Sequence, residues 1–550
     1  MGAIRDVLVP VLIGAALVGF GCAPAVGKEP RAALISKEGA KAPPSHAAVP
    51  AAAKASITTP KARKLSEAEA RQVLHRLTFG ARPGEAEALA HSGLAAWLDE
   101  QRYPEQMDDT RGQLALEPFQ DALAAPGELL GKFTKASMMG EAGGEPGNEK
   151  NLNKMMDFGR LLSFAQMSAI VRQTESRRQL FEVMVDFWSN HFNVYARKGL
   201  VKLLAADYVE RAIRPHALGK FQDLLLATAQ HPAMLVYLDN AESTAPGKMK
   251  VGKKVKRGGI TENYARELLE LHTLGVDGGY TQEDVIGVAR ILTGWSVERS
   301  GTDGPIFKFK ERAHDRGEKL VLGEVYPAGG GLDEGLLLLR RLATDPRTGK
   351  HLAKKLCARL VADIPPDSCV HSGADAFLKS QGDIRHMLGA IVQSGDFSAE
   401  PFQLNKMKSP LEFMVSAIRV LDGKIEGDAR RLAKMLEQLG EPLLLQAVPT
   451  GYPEAAKQWA SAGGALGRMN FAIQLASGTI AGVSVDLERL FPRVDPEALV
   501  ADVNRVVLSG SGRPETLSAI LEKARESENP RERRQVAVAL ALGSPDFQRQ

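Results

Sequence analysis

The sequence predicts a mainly α-helical protein: a large multi-helix body with one small β-hairpin, preceded by a signal leader and a disordered tether. Three observations predict it. From Ser66 onward apolar residues recur at helical spacing, beginning with Val73, Leu74 and Leu77, while strand signals are scarce. The chain is 44% hydrophobic and 25% charged over 550 residues, an ordinary globular balance with room for several cores at roughly 150 residues each. Residues 1–64 follow another regime, first apolar and then rich in Ala, Pro and Lys. With 70 basic against 66 acidic residues the net charge is only +4, which excludes nucleic-acid binding through bulk basicity.

Residues 1–22 read as an export leader. Val7–Phe20 supplies 14 mostly apolar residues, whereas crossing ~30 Å of hydrocarbon takes ~20, so a cleaved signal fits better than a permanent span. The stretch ends in Gly19-Phe20-Gly21-Cys22, which resembles a bacterial lipobox. Gly19 and Phe20 stand where that pattern favours Leu and a small residue. Lipid attachment at Cys22 is expected, with the membrane as partner and an exported, periplasmic or cell-envelope location; a plain secreted leader is the alternative. Residues 23–64 show no periodicity and carry eight basic residues against two acidic ones, a flexible tether that rests on anionic headgroups or serves as a solvated spacer.

The body, residues 65–550, opens with the Val73–Leu77 helix, which stops at Gly80-Ala81-Arg82-Pro83-Gly84. Helical patterns return in Phe221–Ala229, Leu336–Leu342, Leu352–Leu360, Leu411–Leu421 and Val536–Leu542. Residues 135–152, with Gly140, Gly143, Gly144 and Gly147, predict a mobile surface loop. Lys248–Arg257 holds six basic residues in ten and reads as a disordered, solvated insertion that phosphate or a membrane could touch. The one β piece is Ile306–Phe309 pairing with Lys319–Gly323 around a polar turn. A subdivision into 65–345 and 346–550 stays open. Cys357 and Cys369, 12 apart across Pro365-Pro366, either form a local bridge, which an exported compartment permits, or remain buried thiols.

Two motif helices carry candidate chemistry. In Glu262–Gly275, steps of 100° place Asn263, Glu267 and Glu270 along one edge and His272 on the apolar face with Ala265, Leu268 and Leu269. The HExxH arrangement is absent, so any metal would be completed by other segments. In Asp186–Asn193, His191 falls on the face of Leu180, Met184, Phe187 and Trp188, opposite Asp186, Asn190 and Asn193. Each buried imidazole needs a partner for its nitrogens: a carboxylate, a carbonyl, a metal or the other His. His216 and His231, each beside a Pro, read as helix caps, and Asp239-Asn240 as a helix stop or a ligand turn. His314-Asp315 in the hairpin offers an imidazole beside a carboxylate.

The stretches Phe187–Phe192, His231–Asn240 and Glu262–Tyr280 resemble the bacterial family catalogued as "domain of unknown function 1800". His75–Gly80, Leu292–Trp295, His314-Asp315, Lys408-Ser409-Pro410 and Gly543–Gln548 support the likeness. It implies a large, mostly helical, often exported protein with no agreed activity, and an exported sulfatase-like protein as partner. The residues support two readings. One is a metal-assisted, hydrolase-like enzyme with His191, His272, His314 and Asp315 as catalytic groups and Asp239, Glu267 and Glu270 holding a divalent cation. Zinc would serve if the imidazoles converge. The other is a non-catalytic binding or assembly protein whose carboxylates pair with Arg266, Arg214 or Arg290.

Overall fold

The computed structural model describes residues 64–129, 158–251, 254–300, 304–399, 404–427 and 429–550. The leader with Cys22, the tether up to residue 63 and the glycine-rich 135–152 segment lie outside them. Helices dominate, and their ends follow local chemistry. Helix α1 (Glu67–Leu77) starts at a capping box in which the Ser66 hydroxyl accepts from the Glu69 N–H and the Glu69 carboxylate accepts from the Ser66 N–H. The chain then turns through Gly80 and Gly84, both at positive φ, before α2 (Glu85–Ser92).

Six further helices matter for the site: α3 (Phe158–Glu175), α4 (Gln179–His191), α5 (Asn263–Glu267), α6 (Pro346–Leu360), α7 (Pro410–Val420) and α8 (Pro496–Val506). Buried apolar side chains form two clusters. One runs from Ala70 to Phe397; the other is built mainly from residues 411–547 and also takes Phe79, Met167, Ile170, Val171 and Val183. Helix α4 serves both. Leu180, Met184, Phe187 and Trp188 pack into the first cluster and Val183 into the second, so its remaining polar edge lies along the border between them. Trp188 is fully buried and its indole N–H donates to the Ala217 carbonyl at 2.9 Å, so both its apolar body and its one donor are satisfied.

The β structure is richer than the sequence suggests. Ile306–Phe309 and Lys319–Val321 are strands, but not partners: β3 (Trp295–Ser300) pairs antiparallel with β4 (Gly304–Phe309), and β5 (Lys319–Val321) with β6 (Glu324–Tyr326). The β5–β6 turn is Leu322-Gly323, both at positive φ, which suits a two-residue hairpin loop and favours the nearest partner. The basic insertion also departs from expectation. It is an antiparallel ribbon of β1 (Gly247–Val251) and β2 (Lys254–Gly258); the charge count concealed the alternation of Lys with Met and Val, a period-two strand signal. Lys424–Ile425 pairs with Val483–Ser484. Cys357 on α6 is bridged to Cys369, with Cα atoms 6.2 Å apart, which joins α6 to the helix Asp367–Lys379. Among the described residues no helix is long and apolar enough to cross a membrane.

Candidate functional site

The histidines chosen from the sequence are buried, and two of them, His191 and His314, are bonded to backbone carbonyls. On α4, His191 is buried; its Nε2 lies 3.2 Å from the His272 carbonyl oxygen and its Nδ1 2.9 Å from Lys355 Nζ. A carbonyl only accepts, so Nε2 carries the proton, and Nδ1 accepts from the lysine. Burial, followed by the Lys355 charge, holds this imidazole well below its ordinary basicity. The His272 ring lies 6.1 Å from that of His191 and is lowered to about 3, first by burial and then by Lys355 and His351. His351 on α6 donates from Nε2 to the Leu271 carbonyl at 3.1 Å. These contacts have one cause. Helix α5 runs into a π-helical turn, Leu268–His272, whose last carbonyls lack partners within the helix; His191 and His351 supply them. The three imidazoles form the lid of a helix end.

His314 belongs to a separate cluster. Its Nδ1–H donates to the Thr293 carbonyl at 2.9 Å, and its Nε2 lies 3.5 Å from Lys319 Nζ and 3.4 Å from Glu334 Oε2. Asp315 is held by Arg290 at 2.8 and 3.2 Å, a pair of hydrogen bonds that keeps its carboxyl below the usual range. Asp239, at positive φ just beyond the helix Pro232–Tyr237, pairs with Lys198 at 2.6 Å and accepts from Asn263 at 3.2 Å. Glu270 accepts from the Tyr280 hydroxyl at 3.4 Å. Glu267 is raised by partial burial and then by the Glu270 charge. Among the described residues no group of three or more His, Cys, Asp or Glu side chains is placed to hold a metal ion. The expected set of Asp239, Glu267 and Glu270 is therefore not assembled as one site. His231 does cap a helix, accepting from the Ala233 N–H at 3.1 Å, whereas His216 ends a 3₁₀ turn.

The opposite edge of α4 opens instead onto a cleft of about 1180 Å³ that is continuous with solvent, and Asp186 lines it. The far wall comes from residues 441–459, and α4 itself fixes that wall. Asn190 accepts from the Tyr452 N–H at 2.6 Å and donates to its carbonyl at 2.9 Å, while Asn193 donates to the carbonyls of Gln446 and Val448 at 2.9 Å each. Gly451, at positive φ, passes so close that a Cβ there would lie 2.4 Å from the Asn190 carbonyl oxygen.

At the cleft floor Arg359 from α6 gathers three carboxylates: Glu412 at 2.9 Å, Asp186 at 3.3 Å and Glu454 at 3.4 Å. Glu182 is neutralised separately by Arg214 through two bonds of 2.7 and 2.8 Å. Lys406 also lines the cleft and acts on Glu412, so the raised carboxyls owe their protons first to burial and only then to their acidic neighbours. Asp186 is pushed up to about 7, chiefly by burial, with Arg359 opposing and Glu454 and Glu412 adding. Glu441 is pushed up to about 8 by burial and next by Asp186, against the Leu411 N–H that its carboxyl accepts at 2.8 Å. Asp186 still exposes 21% of its side-chain surface. Two carboxyls raised by burial toward neutrality in a solvent-reachable cleft are suited to serve as acid and base.

Sequence reasoning placed Asp186 on the correct edge but missed Glu441, Arg359, His351 and Lys355. A signal existed for two of them: Lys355 and Arg359 fall three and seven residues after Leu352, on the apolar stripe of their helix, where a charge needs a buried partner. Glu441 lies in a loop and carries no such signal. No curated protein and no solved structure matches the chain. The family model described as "Protein of unknown function (DUF1800)" matches residues 72–549, and the chain belongs to that family.

Proposed function

We propose that the protein is an exported hydrolase-type enzyme, anchored through a lipid on Cys22, whose acid and base are Asp186 and Glu441. The observation that carries this reading is the placement of two proton-retaining carboxyls in one open cleft. One donates its proton to a leaving oxygen, and the other, once ionised, accepts a proton from the attacking water. Arg359 orients Asp186. The Cys357–Cys369 bridge supports export, since such bonds persist in oxidising compartments. A screen of the full chain against chromogenic esters, glycosides and phosphate esters tests the reading. Turnover is expected to have a bell-shaped pH profile between the pair's two ionisations, with Asp186→Asn and Glu441→Gln each losing roughly 10²-fold or more and His314→Gln keeping its rate. Activity that survives both carboxyl substitutions would refute it.

A second reading, a non-catalytic binding or assembly protein working with another exported protein, is favoured by the ion pairs Arg266–Glu262, Arg214–Glu182 and Arg290–Asp315. On that reading the charges of the cleft lock helices, and Asp186→Asn alters melting alone.

A further inference from the structure

A second cavity, of about 80 Å³ and open to solvent, has neither Asp186 nor Glu441 in its lining, and three of the stretches that mark the family meet there: His75 and Gly80, Lys408, and Phe547 all line it. Its walls are unequal in charge. Arg71, Arg82, Lys408 and Arg505 face it against one acid, Glu87. Arg82 is spent on Glu175 and Asp422, each at 2.9 Å. Lys408 and Arg505 are less fully matched. Arg505 reaches Asp502 alone among the described acids, at 3.5 Å, and stays 60% exposed. Arg71 is paired with Glu67, donates to the Arg505 carbonyl at 3.1 Å and lies 3.9 Å from Glu87.

The floor is more unusual. Lys408 is 1% exposed, its amine has no hydrogen-bond partner among the described residues, burial lowers it to about 7 against the Glu412 charge, and it rests 3.8 Å from the centre of the Phe547 ring. An ammonium has three donors, and leaving all of them unmatched in the interior is costly. A cation–π contact replaces only part of the lost hydration. Above it, His75 Nδ1 is likewise buried without a partner among the described residues, and Ser509, a non-glycine residue at φ +58, presents its hydroxyl 3.4 Å from His75 Nε2. Strain of that kind persists where the surroundings enforce it, commonly at ligand sites.

We propose that this cavity binds a tetrahedral oxyanion group, phosphate or sulfate, with Lys408 supplying charge from the floor, Arg71 and Arg505 from the rim and Ser509 a hydroxyl donor. An anion would complete the lysine's hydrogen bonds and balance the rim, and charge-assisted bonds of this type are the strong ones. The site is independent of the Asp186–Glu441 reading.

The test is calorimetric titration of the full chain with inorganic phosphate and with sulfate, against chloride at matched ionic strength. Saturable binding is expected for at least one, weakened tenfold or more in Lys408→Met, which keeps the contact with Phe547, and in Arg505→Gln, which changes an exposed side chain. Flotation with phosphatidylcholine vesicles, with and without phosphatidic acid, separates the sources. Capture that phosphatidic acid confers, Lys408→Met abolishes and free phosphate competes away assigns a lipid headgroup. Binding of the free anion without capture assigns a soluble one. No saturable binding beyond chloride, or binding unchanged in both variants, overturns the proposal.

Discussion

At the scale of single residues, the identity of a side chain mattered less than which face of its helix it occupies. His191 and Asp186 are five positions apart on α4, and one caps a neighbouring helix while the other faces the cleft. Their protonation gives opposite pH dependences. His272 is lowered from 6.5 to about 3, and His351 to about 4. Their contribution to stability is therefore complete above 6.5 and is lost as pH falls toward the folded values, where protons bind the unfolded chain more readily. Asp186 and Glu441, raised to about 7 and about 8, contribute fully below their ordinary values near 4 and lose stability as pH rises through 7 and 8. Urea unfolding across pH 4–9 is expected to show both limbs. His272→Gln should flatten the acid limb and Asp186→Asn the basic one; unchanged slopes in both variants would contradict these assignments.

At the scale of elements, the cleft wall and the α6 bridge are the devices to disturb. Gly451→Ala meets the Asn190 carbonyl at a positive φ, which predicts a loss of roughly 1–3 kcal/mol together with loosening of the 441–459 wall. Protease sensitivity near Tyr452 is the readout, and unaltered proteolysis would show that the wall is held by other means. The Cys357–Cys369 bridge closes a loop with a sequence separation of 12. Its removal in the paired Ser variant predicts a loss of roughly 2–4 kcal/mol, read as a lower melting temperature that added reductant no longer changes. Of the two motif helices, α4 is a uniform α-helix, whereas α5 continues as a π-helical turn at Leu268–His272, a local widening of the helix.

At the scale of the whole molecule, the sequence disclosed helices, caps and faces because these are local. The stop at Gly80–Gly84, the cap formed by His231 and the burial of His191 and His272 all follow from neighbours within a few positions. Strand partners and the site did not follow. Ile306–Phe309 and Lys319–Val321 carry strand patterns, yet their pairing depends on the turns beside them. The cleft joins Asp186, Arg359 and Glu441 across more than 250 residues, a distance that periodicity does not cover. The histidines drew attention as versatile groups, and burial turned His191 and His314 into hydrogen-bond partners for backbone carbonyls and packed His272 among rings. The central claim, that the carboxyls of this cleft and not the imidazoles hold exchangeable protons near neutrality, is met most directly by carbon-13 carboxyl titration of the full chain. The account predicts one aspartate signal that titrates near pH 7 and vanishes in Asp186→Asn; aspartates that all ionise in the ordinary acid range would contradict it.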